Sequence, residues 1–143
     1  MLLLVTLHAG TVSGKTKLQK LVYLVQRESG APQLKDIFHF EPYLYGPFSQ
    51  DISREVDQLE RDNLLARSQY LYSQKGQTME TASCQLTEQG KAEAHAVQAK
   101  WPAESEAVQR IVEKYRFETL PRILDHVYSA YPESAVNAKR DQA

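Results

Sequence analysis

The chain has 143 residues, enough for one domain, and its 42% hydrophobic and 24% charged residues are the balance of an ordinary soluble globular protein. Its net charge of −1 supplies no overall attraction to nucleic acid or to an anionic membrane. One cysteine, Cys84, excludes an intrachain disulfide and suits a reducing cytoplasm, while the apolar start at residues 2–7 is too short to span a bilayer and lacks the basic flank of a secretory signal.

Residues 2–8 are apolar except Thr6 and His8, and form either a buried helical turn or two or a buried strand. Residues 10–14 read as a loop. Leu18, Leu21, Val22 and Val25 recur at i, i+3, i+4 and i+7, one face of an α-helix, which Tyr23 and Leu24 widen into a substantially buried one. Ser29-Gly30-Ala31-Pro32 stops it. Phe38, Phe40 and Leu44 mark a short extended segment, and Tyr45-Gly46-Pro47 predicts a turn, since glycine permits unusual dihedrals and proline fixes φ. Ser49 is a good N-cap for a second amphipathic helix that carries Ile52, Val56 and Leu59 and runs to about Asp62, after which Leu64 and Leu65 close the unit.

The period then changes to two. Leu65 and Leu71 share one face, and Ala66, Tyr70 and Tyr72 the other; Ala82, Cys84 and Leu86 alternate with Thr81, Ser83 and Gln85. Two such runs around Lys75-Gly76 predict a β-hairpin. Thr87 caps a helix through about Ala99, with Glu88 favourable in its first turn, and Trp101-Pro102 breaks it. Val108, Ile111, Val112 and Tyr115 mark the next helix. Leu120, Ile123, Leu124, Val127, Tyr128 and Tyr131 mark the last, which Pro132 ends before a polar, frayed tail at 133–143.

The stretch at 9–16 also admits a phosphate-binding loop. Ala9, four residues, then Gly14-Lys15-Thr16 meets the loose pattern, with Lys15 reaching the terminal phosphate and Thr16 binding Mg²⁺. The strict pattern needs glycine where Ala9 stands, and Gly10 is one residue out of register. A second acidic residue at a strand end is also missing, because Ile123-Leu124-Asp125 is helical in pattern, and no strand–helix alternation follows. The nucleotide reading fails for want of partners.

Helix, helix, short strand, helix and hairpin is the order of a winged helix-turn-helix. Four segments go further: the run from Gly14 to Leu24 containing Leu18-Gln-Lys-Leu, the turn Tyr43-Leu-Tyr-Gly-Pro-Phe-Ser, the helix start Leu86-Thr-Glu-Gln-Gly-Lys and the ending Val127-Tyr-Ser-Ala-Tyr-Pro. Together they resemble the YwgA-like family, related to the Panacea-type domain of antitoxins such as SocA, and the likeness covers nearly the whole chain. The resemblance implies a winged-helix fold, no catalysis, and roles in regulation, toxin neutralisation or phage-defence operons.

The expectation is an α+β fold: a winged-helix domain at 1–99, a C-terminal helical extension at 100–132 packed on it, and the tail. Lys15, Lys17 and Lys20 are expected on the exposed side of the first long helix, as a solvated face or a small phosphate-contacting patch. In the helix at 49–62, Asp51, Glu55, Asp57, Glu60 and Asp62 outweigh Arg54 and Arg61. A helix entering the major groove faces phosphates on both sides, so this charge favours a protein partner, although Gln50, Ser53 and Arg54 are placed to touch bases or backbone. Lys75 sits at the wing tip. The expected function is DNA-linked transcriptional regulation, with an antitoxin- or adaptor-type protein-interaction module as the alternative; neither catalysis nor a cofactor is expected. His8, His39, His95 and His126 lack metal-ligand spacing and read as lone structural or surface residues. Cys84 reads as buried, and Tyr43, Tyr45, Tyr70, Tyr72, Tyr128 and Tyr131 as semi-buried packing. The stripe from Leu120 to Tyr131 is wider than docking on the core needs, which predicts a homodimer.

Overall fold

The structure is a computed structural model that describes residues 2–9, 12–44, 46–74 and 77–136, with the backbone alone described at Ser13, Lys15, 69–74 and 77–82. It is an α+β fold. Helix α1 spans Leu2–Ala9, a two-residue strand β1 spans Val12–Ser13, and helix α2 spans Lys15–Glu28. Strands β2 (Glu41–Tyr43) and β3 (Gly46–Phe48) form a small ribbon before helix α3 (Gln50–Arg61). A long hairpin of β4 (Leu65–Gln74) and β5 (Gln77–Leu86) follows, then helices α4 (Glu88–Lys100), α5 (Pro102–Tyr115) and α6 (Leu120–Ala130). Among the described residues no helix is long and apolar enough to cross a membrane.

The segment 2–8, open between helix and strand in the sequence, is helical. Leu2, Leu3, Leu4, Val5 and Leu7 are all buried, so the helix has no polar side to betray its period, and Thr6 meets the apolar surroundings by donating its hydroxyl to Leu2 O (2.8 Å). The predicted loop at 10–14 contains β1, whose Val12 and Ser13 pair antiparallel with Cys84 and Ser83. The resulting sheet has the order β1-β5-β4, and in the hairpin Leu65 lies opposite Leu86 and Gln74 opposite Gln77. Two adjacent residues cannot show a period, which is why β1 escaped the pattern.

The turn predicted at Tyr45-Gly46-Pro47 is displaced. Gly46 and Pro47 belong to β3, where Pro42 pairs with Pro47 and Glu41 with Phe48, and Tyr45 lies outside the described residues. Prolines are tolerated because each strand of a two-stranded ribbon has an outer edge that needs no N–H donor. Gly46 suits its place because its φ is +90°, which L side chains rarely adopt, and an added Cβ would also press Leu124 Cδ2 at 3.1 Å.

One hydrophobic core runs through the molecule. Leu18, Leu21, Val22 and Val25 of α2 share it with α1, with Ile52, Val56 and Leu59 of α3, with Val108, Ile111 and Val112 of α5, and with Ile123 and Val127 of α6. The segment predicted as an appended extension therefore contributes directly to the core of the preceding helices. The α6 stripe is taken up internally: Ile123 and Val127 are buried and Leu124 and Tyr128 half-buried, against α2, β3 and the turn that follows. Fraying does not begin at Glu133, because Pro132–Ala135 is a 3-10 turn with Ser134 buried; 137–143 lie outside the described residues.

Candidate functional site

The first residues to place are the cations of α2. The Lys15 backbone opens the helix. Lys17 and Lys20 were expected on its exposed side, and the structure corrects this for both. Lys17 is half-buried and donates to Arg116 O at 2.6 Å; burial and then repulsion from Arg116 lower its pKa, against a raising influence from Glu118. Lys20 is only 2% exposed and donates to Pro47 O at 2.9 Å, and burial pushes its amine down to about 8. The reason is that α2 is the central helix, touched by α5, α6, β1, β3 and β5, so it has little outer side to offer. A lysine there lays its methylenes along apolar neighbours and takes its head to a carbonyl.

The other polar residues of α2 act as clamps. Gln19 accepts from Ser49 N (2.9 Å) and donates to Ser49 O (2.9 Å), and its amide also reaches Ser53 Oγ at 3.4 Å. Ser49 does occupy the N-cap of α3 in extended conformation, but its hydroxyl makes no capping bond and is buried without a partner among the described residues. Gln26 repeats the device, accepting from Phe38 N and donating to Phe38 O and Lys35 O. Leu18-Gln-Lys-Leu and Gly46-Pro47 are thus joined physically, through Lys20 to Pro47 and Gln19 to Ser49. Between them lies a cleft of about 160 Å³ lined by Thr16, Gln19, Lys20, Tyr43, Gly46, Phe48 and Ser53. Tyr43, expected to be semi-buried, is 55% exposed at its rim. Lys20 and Ser53 are the sequence-predicted site residues that this cleft brings together.

The outward face of α3 is the second feature. Ile52, Val56 and Leu59 turn inward, leaving Gln50, Asp51, Arg54, Asp57, Glu60 and Arg61 exposed and Glu55 half-buried. Arg54 stays on its own helix, with Nη2 to Gln50 Oε1 at 3.3 Å and Nη1 to Asp51 at 3.8 Å. From β4, Arg67 bridges Asp57 and Glu60. The face is acidic and laced by ion pairs. Lys75 lies outside the described residues, as does the rest of the expected wing tip at 75–76.

Lys15 follows a helix and a two-residue antiparallel strand, not the parallel strand a phosphate loop requires. Calorimetry with ATP and Mg²⁺ is expected to show no heat of binding. Saturable binding abolished by Lys15→Ala would overturn this.

The sequence missed two networks, because their members lie far apart along the chain. At the first, Glu28 accepts from Tyr115 Oη (2.5 Å), Tyr131 Oη (2.8 Å) and His126 Nε2 (2.8 Å), and Lys114 stands 3.9 Å away. Burial alone would raise the Glu28 pKa; the three hydrogen bonds and the His126 charge outweigh it and hold the carboxyl below its ordinary range. The same contacts, with burial, raise both tyrosines. At the second, His8 Nε2 meets His95 Nε2 at 3.3 Å and Nδ1 meets Gln98 at 3.0 Å; burial, His95 and Lys91 lower the His8 pKa. His8, His95 and His126 are therefore not lone, and His39, an exposed residue outside both networks, stands 3.6 Å from Glu41. Both networks join α-helices distant in sequence, and among the described residues no group of three or more His, Cys, Asp or Glu side chains is placed to hold a metal. Searches against protein-family models, curated proteins and solved structures find nothing that matches this chain.

Proposed function

We propose that the protein is a non-enzymatic cytoplasmic binding module on a winged-helix frame, and that it presents the outer face of α3 to a basic protein partner, in the manner of an antitoxin or adaptor. The order α1-β1-α2-α3-β4-β5, with β1 and β4 flanking β5, supports the frame. The motifs that resemble the YwgA-like family point the same way. The observation that carries the partner class is the acidic exposed face of α3, in the helix that would otherwise meet DNA phosphates. The engagement of Lys17 and Lys20 with backbone carbonyls adds to it, since it removes the cations expected to meet those phosphates.

DNA-linked transcriptional regulation is the second reading, favoured by Gln50 and Arg54 side by side at the exposed first turn of α3, where a recognition helix contacts bases. Charge reversal separates the two. Affinity capture from the native host is expected to recover a basic protein with the wild-type chain and to lose it with Asp51→Lys combined with Asp62→Lys, while mobility-shift titration at low salt detects no duplex binding. If DNA is bound instead, and replacing Lys15 or Arg54 reduces the slope of log affinity against log salt by about 0.9 per contact, the protein-partner reading falls.

A further inference from the structure

The cleft between α2, the β2–β3 ribbon and α3 is lined by Lys20, one of two buried polar groups in this region that protein atoms leave short of partners. The ammonium of Lys20 has three N–H donors, yet among the described residues it makes one hydrogen bond, to Pro47 O, and no ion pair. The hydroxyl of Ser49, within the span of the Gln19 amide, makes none. Burying an ammonium without a counter-charge is strongly unfavourable, and one carbonyl dipole replaces little of the lost hydration. Burial brings this amine down only to about 8, so near neutrality most of it is still charged. A methionine would fill the same space beside Gly46 without that penalty.

The walls of the cleft divide by chemistry. Thr16, Lys20 and Ser53 offer donors, and Phe48 with Tyr43 offers a tilted ring pair whose centroids are 5.5 Å apart. Among the described residues no arginine lines it, and α3 alongside is acidic, an arrangement that disfavours a dianion such as phosphate. We propose that this cleft binds a carboxylate carried on a small apolar body, the carboxylate supplying the counter-charge that Lys20 lacks and the body lying against the Tyr43–Phe48 pair. The site is independent of the protein partner proposed for α3.

Sodium benzoate is a suitable probe. In protein labelled with ¹³C at lysine, the Lys20 signal is assigned by its absence from Lys20→Met and followed through a benzoate titration at constant ionic strength. A saturable shift is expected, and the titration midpoint of Lys20 moves upward from about 8, because a bound carboxylate favours the ammonium. Benzamide, with the same shape and no charge, is expected to bind about ten-fold more weakly, the factor that one unit of pKa shift represents. Lys20→Met loses the benzoate response of the neighbouring Phe48 and Tyr43 signals. A benzoate-saturated protein whose Lys20 midpoint does not move, or equal binding of benzamide, overturns the proposal, and the comparison of benzoate with benzamide uses the wild-type protein alone. A short peptide ending in phenylalanine, compared with its C-terminal amide, identifies the source. Tighter binding of the free-ended peptide than of benzoate assigns the carboxylate to the end of a partner chain, and weaker binding assigns it to a free small acid.

Discussion

Replacing Glu28 by alanine is expected to destabilise the protein by about 2 kcal/mol, within the range for losing hydrogen bonds made to a charged group. Glu28 stands at the end of α2, with its side chain 16% exposed, and receives Tyr115 from α5, His126 from α6 and Tyr131 from the residue after it. Without the carboxylate, the two phenols and the imidazole lose their shared acceptor, and three segments lose a common tie. The sign of the pH dependence comes from the depressed carboxyl. Its stabilisation is fully present above the ordinary value of 4.5 and is lost as pH falls through the lower folded-state value, because the unfolded chain then binds the proton more readily. Urea denaturation at neutral pH measures the first effect. Repeating it in acid should show the wild-type advantage over Glu28→Gln shrinking below that value. A Glu28→Ala variant within about 0.5 kcal/mol of wild type would class the network with ordinary surface contacts.

Gly90→Ala is expected to cost more, above about 3 kcal/mol, beyond the usual range for overpacking. Gly90 lies in the first turn of α4, and an added Cβ would fall 2.0 Å from Leu64 O and 2.9 Å from Leu64 C, both backbone atoms. That carbonyl cannot step aside. Leu64 N is held by Leu59 O at the end of α3, Leu64 O accepts from Thr87 N, and the next residue, Leu65, is already paired with Leu86. Thr87 completes the lock, donating to Asn63 O at 2.7 Å while capping Gly90 N at 3.0 Å. The control is Gly30→Ala, where φ is +73° but no atom lies within 4 Å, so only backbone strain of about 1–2 kcal/mol is expected. Thermal unfolding of the two variants side by side tests the contrast. Equal losses would mean that α4 shifts freely on its seat.

Elements with a long run of one period were legible in the sequence. The i, i+3, i+4 spacing in α2, α3, α5 and α6 reflects a face turned toward one core, the alternation in β4 and β5 was enough to predict paired strands, and the Thr87 cap and the Trp101-Pro102 break are local effects that need no distant partner. The acidity of α3 was equally visible, since charge can be counted along a helix without knowing what it meets.

The features that the chain could not reveal depend on neighbours brought together from far apart in sequence. Nothing in Leu18-Gln-Lys-Leu says that Gln19 and Lys20 point inward; α5 and α6 cover the flank of α2, so two polar side chains take their hydrogen bonds from the backbone of Ser49 and Pro47. Glu28 looks like a helix-end surface residue until Tyr115, His126 and Tyr131 converge on it from 87 to 103 residues away. Periodicity reports which side of an element is apolar, but a buried polar residue is defined by its partner, and only the tertiary structure supplies that partner.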